Sequence, residues 1–94
     1  MRLKDYERAA ILTTVRFFDS NARVYLFGSR VDDTKKGGDI DLLLMSGKIT
    51  ADTKRAIKMK LYETLGEQKI DIVVAADDSD PFVRLALDSG WNCD

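Results

Sequence analysis

The stretch Leu26-Phe27-Gly28-Ser29-Arg30, followed after a polar turn by Gly37-Gly38-Asp39-Ile40-Asp41-Leu42-Leu43-Leu44-Met45, decides how the chain is read. An apolar run ends in Gly-Ser, a charged glycine-bearing loop follows, and two aspartates one residue apart open a second apolar run. Side chains alternate faces along a strand, so Asp39 and Asp41 project from one face and Ile40 from the other. Two carboxylates held that close repel unless a cation lies between them. A hard divalent ion with oxygen ligands is the natural guest. The Gly28-Ser29 turn beside it offers backbone N–H groups that can cradle phosphate. The pattern predicts metal next to phosphate.

Working outward, Arg23 to Phe27 is predicted as a short strand and Gly28 to Gly38 as a polar loop. Ile40 to Met45 reads as a strand buried on both faces. Upstream, a helix is expected from Leu3 to about Asp19. Leu3, Tyr6, Ala10, Thr13 or Thr14 and Phe17 form its apolar stripe, with Glu7 and Arg8 among the polar residues opposite. Asp19-Ser20-Asn21 breaks it. Downstream, Thr50 or Asp52 caps a helix over Ala51 to Leu65 that buries Ile57, Leu61 and Leu65, with Gly66 as its C-terminal glycine. Lys69 to Ala75 is a third strand. Pro81 opens a last helix to about Ser89, and Gly90 to Asp94 reads as a tail with Cys93 frayed at its end. The expected fold is α/β (α+β), a small mixed three-stranded sheet with helices mainly on one face and the face near Asp39 open.

Length and composition bound the possibilities. The chain has 94 residues, 45% hydrophobic and 33% charged, and is read as one domain over residues 1–94. The net charge of -1 gives no global field to draw in nucleic acid, so such a partner is not favoured. The basic segment Lys54, Arg55, Lys58 and Lys60 reads as a solvated helix face. The chain lacks histidine, which removes Ser-His-Asp and Cys-His catalysis and histidine general bases. One cysteine, no apolar run of membrane-spanning length and no leader-like core suggest a cytoplasmic protein.

Asp71 strengthens the metal reading. It interrupts Ile70-Asp71-Ile72-Val73-Val74, where a lone charge is costly to bury. That cost is relieved if Asp71 stands beside Asp39 and Asp41 and shares their cation. Three carboxylates from two strands, with triphosphate oxygens, can hold two Mg²⁺ ions about 3.5–4 Å apart.

Gly28-Ser29-Arg30, Asp39-Ile40-Asp41 and Asp71, in that order, resemble the motifs of the nucleotidyltransferase superfamily that includes DNA polymerase β. The chain is most similar to its stand-alone minimal nucleotidyltransferases, the antitoxin components of MNT/HEPN pairs, and the likeness covers nearly its whole length. The resemblance implies a polymerase β palm-like fold and catalytic, metal-binding roles for Asp39, Asp41 and Asp71. Gly28, Ser29 and Arg30 would bind the nucleotide. The implied reaction is attack of a hydroxyl on the α-phosphate of an NTP, with ATP the expected donor and AMP the group moved. The implied acceptor lies on an all-helical HEPN-type toxin. Self-association is left open. The pattern departs from the family in a slightly short loop, in Val31, and in Gly38 where a hydroxyl residue is common. These changes predict weakened or shifted triphosphate binding with the metal site kept. The reading from a different class is a binding module that neutralises its partner by occlusion.

Overall fold

The computed structural model of the chain describes residues 3–28, 40–66 and 69–94. The elements run α1 (Asp5–Phe18), β1 (Arg23–Phe27), β2 (Ile40–Met45), α2 (Ala51–Leu65), β3 (Ile70–Ala75), α3 (Pro81–Ser89) and β4 (Trp91–Asn92). They build one four-stranded sheet in the order β3-β2-β1-β4. β2 and β3 are parallel, joined through α2, and the other pairs are antiparallel. The sheet is therefore mixed, as expected, with one strand more than the three anticipated.

The extra strand comes from the stretch read as a tail. After α3, Gly90 lets the chain turn against β1. A Cβ at Gly90 would fall on the carbonyl oxygens of Ala86 and Leu26, so only glycine fits this close approach. Trp91 and Asn92 then pair with Leu26 and Tyr25, and Cys93 N–H donates to the Val24 carbonyl at 2.9 Å. Cys93 is not frayed. It is 0% exposed within the main core, and burial pushes its thiol up to about 11. The Arg8 guanidinium donates to the Cys93 carbonyl, and Arg16 pairs with Asp94, which ties the C-terminal segment to α1.

Strand alternation divides the sheet into two faces. On one, Val24, Leu26, Ile40, Leu42, Leu44, Ile70 and Ile72 meet Ile11 and Val15 of α1 and Ile57, Leu61 and Leu65 of α2. On the other, Tyr25, Phe27, Leu43, Met45 and Val73 meet Val83 and Ala86 of α3. Leu43 is fully buried by that helix, which explains the unbroken apolar run of β2. Among the described residues, the second face is thus partly covered, by α3.

The helix termini follow their capping residues. Thr50 Oγ1 accepts from Thr53 N–H at 3.2 Å, and Asp80 Oδ1 from Phe82 N–H at 2.8 Å, with Pro81 at the first turn. In α1 the expected face is met in part: Leu3 and Thr14 are buried and Ala10 packs against the core. Glu7, Ile11, Thr14 and Val15 point inward, and Tyr6 and Phe17 point out, Phe17 being 82% exposed. Both sets recur at helical spacing. The inward one is tolerated because the Glu7 carboxylate accepts from the Lys4 N–H at 2.9 Å, which satisfies a buried charge at the helix start.

Candidate active site

One rung of the sheet carries the acidic residues. Asp41 is the register partner of Asp71 across the parallel β2–β3 pair. Residues directly paired in a ladder share a face, so both carboxylates stand on the α3 side. Each is half-buried, while Ile40, Leu42, Ile70 and Ile72 beside them are buried on the opposite face. Alternation thus explains how charged residues sit within two core strands. Neighbouring strands lie about 4.8 Å apart, which places the two acids at that order of separation.

Gly28 completes this corner. It follows the last residue of β1, whose Phe27 is paired with Asp41. Its φ is +77°, a left-handed conformation that L side chains rarely adopt. A Cβ built there would land on the Asp41 carboxylate. The missing side chain lets the turn and the carboxylate come together, a packing reason for glycine that a phosphate-cradling role alone did not supply.

Of the residues anticipated from sequence, Gly28, Asp41 and Asp71 are brought together. Ser29, Arg30 and Asp39, with the loop lysines Lys35 and Lys36, lie outside the described residues. Among the described residues no group of three acidic, histidine or cysteine side chains converges. The pair nevertheless suits a hard divalent cation: two carboxylates on adjacent, rigidly hydrogen-bonded strands, next to a turn where a Cβ is excluded. Phe27 is the register partner of Asp41, and Phe82 of α3 meets the Phe27 ring edge to face. The alternation of β1 assigns Phe27 to one face or the other, but only the register shows which acid it neighbours.

Two other features lie apart from this rung. A groove of about 660 Å³ at the opposite end of β2 is lined by Arg23, Met45, Lys48, Asp77 and Asp78 among others, and includes neither Asp41 nor Asp71. Near it, Asp19 is buried, accepting from Ser46 Oγ and from Asn21 N–H at 3.0 Å. Those bonds, the Ser46 hydroxyl first, hold its carboxyl below the ordinary range. Ser46 Oγ in turn accepts from the N–H groups of Lys48 and Ile49, so this cluster staples the end of α1 to the turn after β2. On α2, Arg55 pairs with Asp52 and Lys60 with Glu63 on exposed surface, consistent with a solvated face.

The mixed sheet thus pairs two strand aspartates beside a glycine turn. Residues 13–91 match the sequence model of the family described as Polymerase beta, Nucleotidyltransferase, and the chain belongs to that family. The match spans β1, β2 and β3, the first residue of β4 and the residues of the rung. Proteins of this family transfer nucleotidyl groups and typically use a nucleoside triphosphate with a divalent metal. No curated protein matches the chain. No helix among the described residues is long and apolar enough to cross a membrane.

Proposed function

We propose that the chain, as a single nucleotidyltransferase domain, moves AMP from ATP to a hydroxyl on an all-helical HEPN-type toxin, acting as that toxin's antitoxin in the cytoplasm. The observation that carries the transfer is the Asp41–Asp71 rung set against the Gly28 turn. The partner assignment rests on the resemblance to minimal nucleotidyltransferases.

In this reading Asp39, Asp41 and Asp71 hold two Mg²⁺ ions. The bound cations supply charge neutralisation at the attacking and leaving oxygens. Gly28, Ser29 and Arg30 bind the β- and γ-phosphates, Gly28 and Ser29 through backbone N–H groups and the Ser29 hydroxyl. Asp71 accepts the proton of the acceptor hydroxyl as its oxygen attacks the α-phosphorus. The new P–O bond forms as the bond to the bridging oxygen breaks, and pyrophosphate leaves. Parallel pairing keeps both acids fixed, so little reorganisation is needed during transfer.

A second reading, neutralisation by occlusion, is favoured by the outer surface of α1 and α2, where Tyr6, Phe17 and Met59 are exposed. One experiment separates the two. The protein is incubated with the helical partner, α-labelled ATP and Mg²⁺. Label transfer lost in Asp41→Asn and in Asp71→Asn supports the enzyme. Inhibition of the partner that survives both substitutions, with no label moved, supports occlusion and rejects transfer.

A further inference from the structure

The two edges of the sheet are finished differently. Beyond β1 the sheet ends in β4, two residues long, which gives another chain little to pair with. At the other edge β3 runs for six residues, Ile70-Asp71-Ile72-Val73-Val74-Ala75, with neither proline nor glycine. Among the described residues nothing pairs with its outer side. Ile40 N–H donates to the Lys69 carbonyl and Ser46 N–H to the Ala75 carbonyl, each at 2.9 Å. In a parallel ladder alternate residues turn their backbone groups to the same neighbour, so Lys69, Asp71, Val73 and Ala75 serve β2. The N–H and C=O groups of Ile70, Ile72 and Val74 therefore point outward.

We propose that this edge pairs antiparallel with the same edge of a second copy of the chain, joining the two sheets into one about a two-fold axis at Val73. The inference stands on the edge and its register, and does not depend on the transfer reaction. A two-fold axis normal to the sheet keeps each face on its own side, so residues paired across it have the same parity. Two registers keep most of the strand in contact, one centred on Ile72 and one on Val73. Centring on Ile72 sets the Asp71 carboxylate directly opposite the apolar Val73 of the second copy. Centring on Val73 sets Val73 against its own copy, Ile72 against Val74, and Asp71 against Ala75, whose small side chain leaves the acidic rung open. Lys69 then stands level with Asp77 of the second copy, once at each end of the ladder. That gives β-branched pairs at the centre, opposite charges at both ends and no like charges face to face. Val73, Val74 and Ala75 are half-buried in the single chain, and the pairing covers more of them. This complementarity selects a second copy, and a helical protein has no strand to offer the edge.

The test is sedimentation equilibrium of the chain alone, from micromolar to millimolar concentration, for the wild type, Val74→Pro, Lys69→Glu, Asp77→Lys and the double variant Lys69→Glu/Asp77→Lys. The wild type is expected to dimerise. Proline in place of Val74 removes an outward N–H and leaves the bonds to β2 in place, so Val74→Pro should be monomeric. Each single charge change sets like charges opposite at both ends of the ladder and should weaken the dimer about ten-fold. The double variant restores opposite signs and should recover the wild-type affinity. A wild type that stays monomeric throughout overturns the proposal. If that monomer instead binds the helical partner and loses it in Val74→Pro, the edge belongs to that partner. A dimer that persists in folded Val74→Pro, or that the single charge changes leave untouched, overturns the edge contact, and failure of the double variant to recover overturns the register. Should Val74→Pro not fold, the charge variants decide alone, since Lys69 and Asp77 are both exposed.

Discussion

Replacing Asp71 with asparagine should make the metal-free protein more stable while removing its response to metal. Asp41 and Asp71 are paired directly across β2 and β3, and strands in a sheet lie about 4.8 Å apart. Two like charges at about 5 Å repel by roughly 1–3 kcal/mol for an effective dielectric between about 80 and 20. Asparagine keeps the shape and removes one charge. The expected gain in EDTA is about 1 kcal/mol, or a melting temperature higher by about 4–8 °C for a chain of this size. The pair is closer than a Debye length of about 8–10 Å and half-buried, so ordinary salt should leave most of the effect. Mg²⁺ with nucleotide should reverse the ranking. At one hundred times its dissociation constant a ligand stabilises the wild type by about 2.7 kcal/mol, and the variant should lose most of that. Thermal melts of both proteins in EDTA and in Mg²⁺ with ATP read the crossover. A variant less stable than wild type in EDTA refutes the crowding argument. Equal Mg²⁺ shifts in the two proteins show that the cation binds elsewhere.

Three further outcomes follow from particular contacts. Gly28→Ala should cost at least about 1–2 kcal/mol from its left-handed φ alone, and more from the clash with the Asp41 carboxylate. Urea midpoints should show part of that loss recovered in an Asp41→Ala background, and an identical cost in both backgrounds would contradict the contact. Gly90→Ala places a Cβ on two backbone carbonyls, an overpacking expected to cost about 1–3 kcal/mol and to loosen β4. Trp91 emission should shift to the red, and an unmoved spectrum with unchanged stability counts against this account. The depressed Asp19 carboxyl contributes stability that is present above its unfolded value of about 3.9 and is lost as pH falls through the lower folded value. Urea unfolding as a function of pH should therefore steepen below about pH 4 in the wild type and flatten in Asp19→Asn, and parallel acid limbs would rule the Ser46–Asp19 staple out as the cause.

Much of the architecture was legible because it is local. The strands at Arg23–Phe27 and Ile40–Met45 and the helix at Ala51–Leu65 announce themselves by turn residues, periodicity and caps. The orientation of α1 was legible in part: Leu3, Ala10 and Thr14 do face the core, but Tyr6 and Phe17, also at helical spacing, lie outside the face that Glu7, Ile11 and Val15 bury. The choice between them depends on what the sheet offers and on the Glu7 bond to the Lys4 N–H. β4 was missed because two residues carry no period, and its pairing rests on the close approach at Gly90.

The same division runs through the candidate site. Residue order along the chain determined that Asp41 and Asp71 each face away from their buried neighbours, since alternation is a property of one strand. Only the folded sheet decided that the two stand on one rung, that Phe27 is beside them and that α3 brings Phe82 to the same corner. Register is an agreement between segments far apart in the chain, reached through helix packing and strand pairing, and no local pattern encodes it.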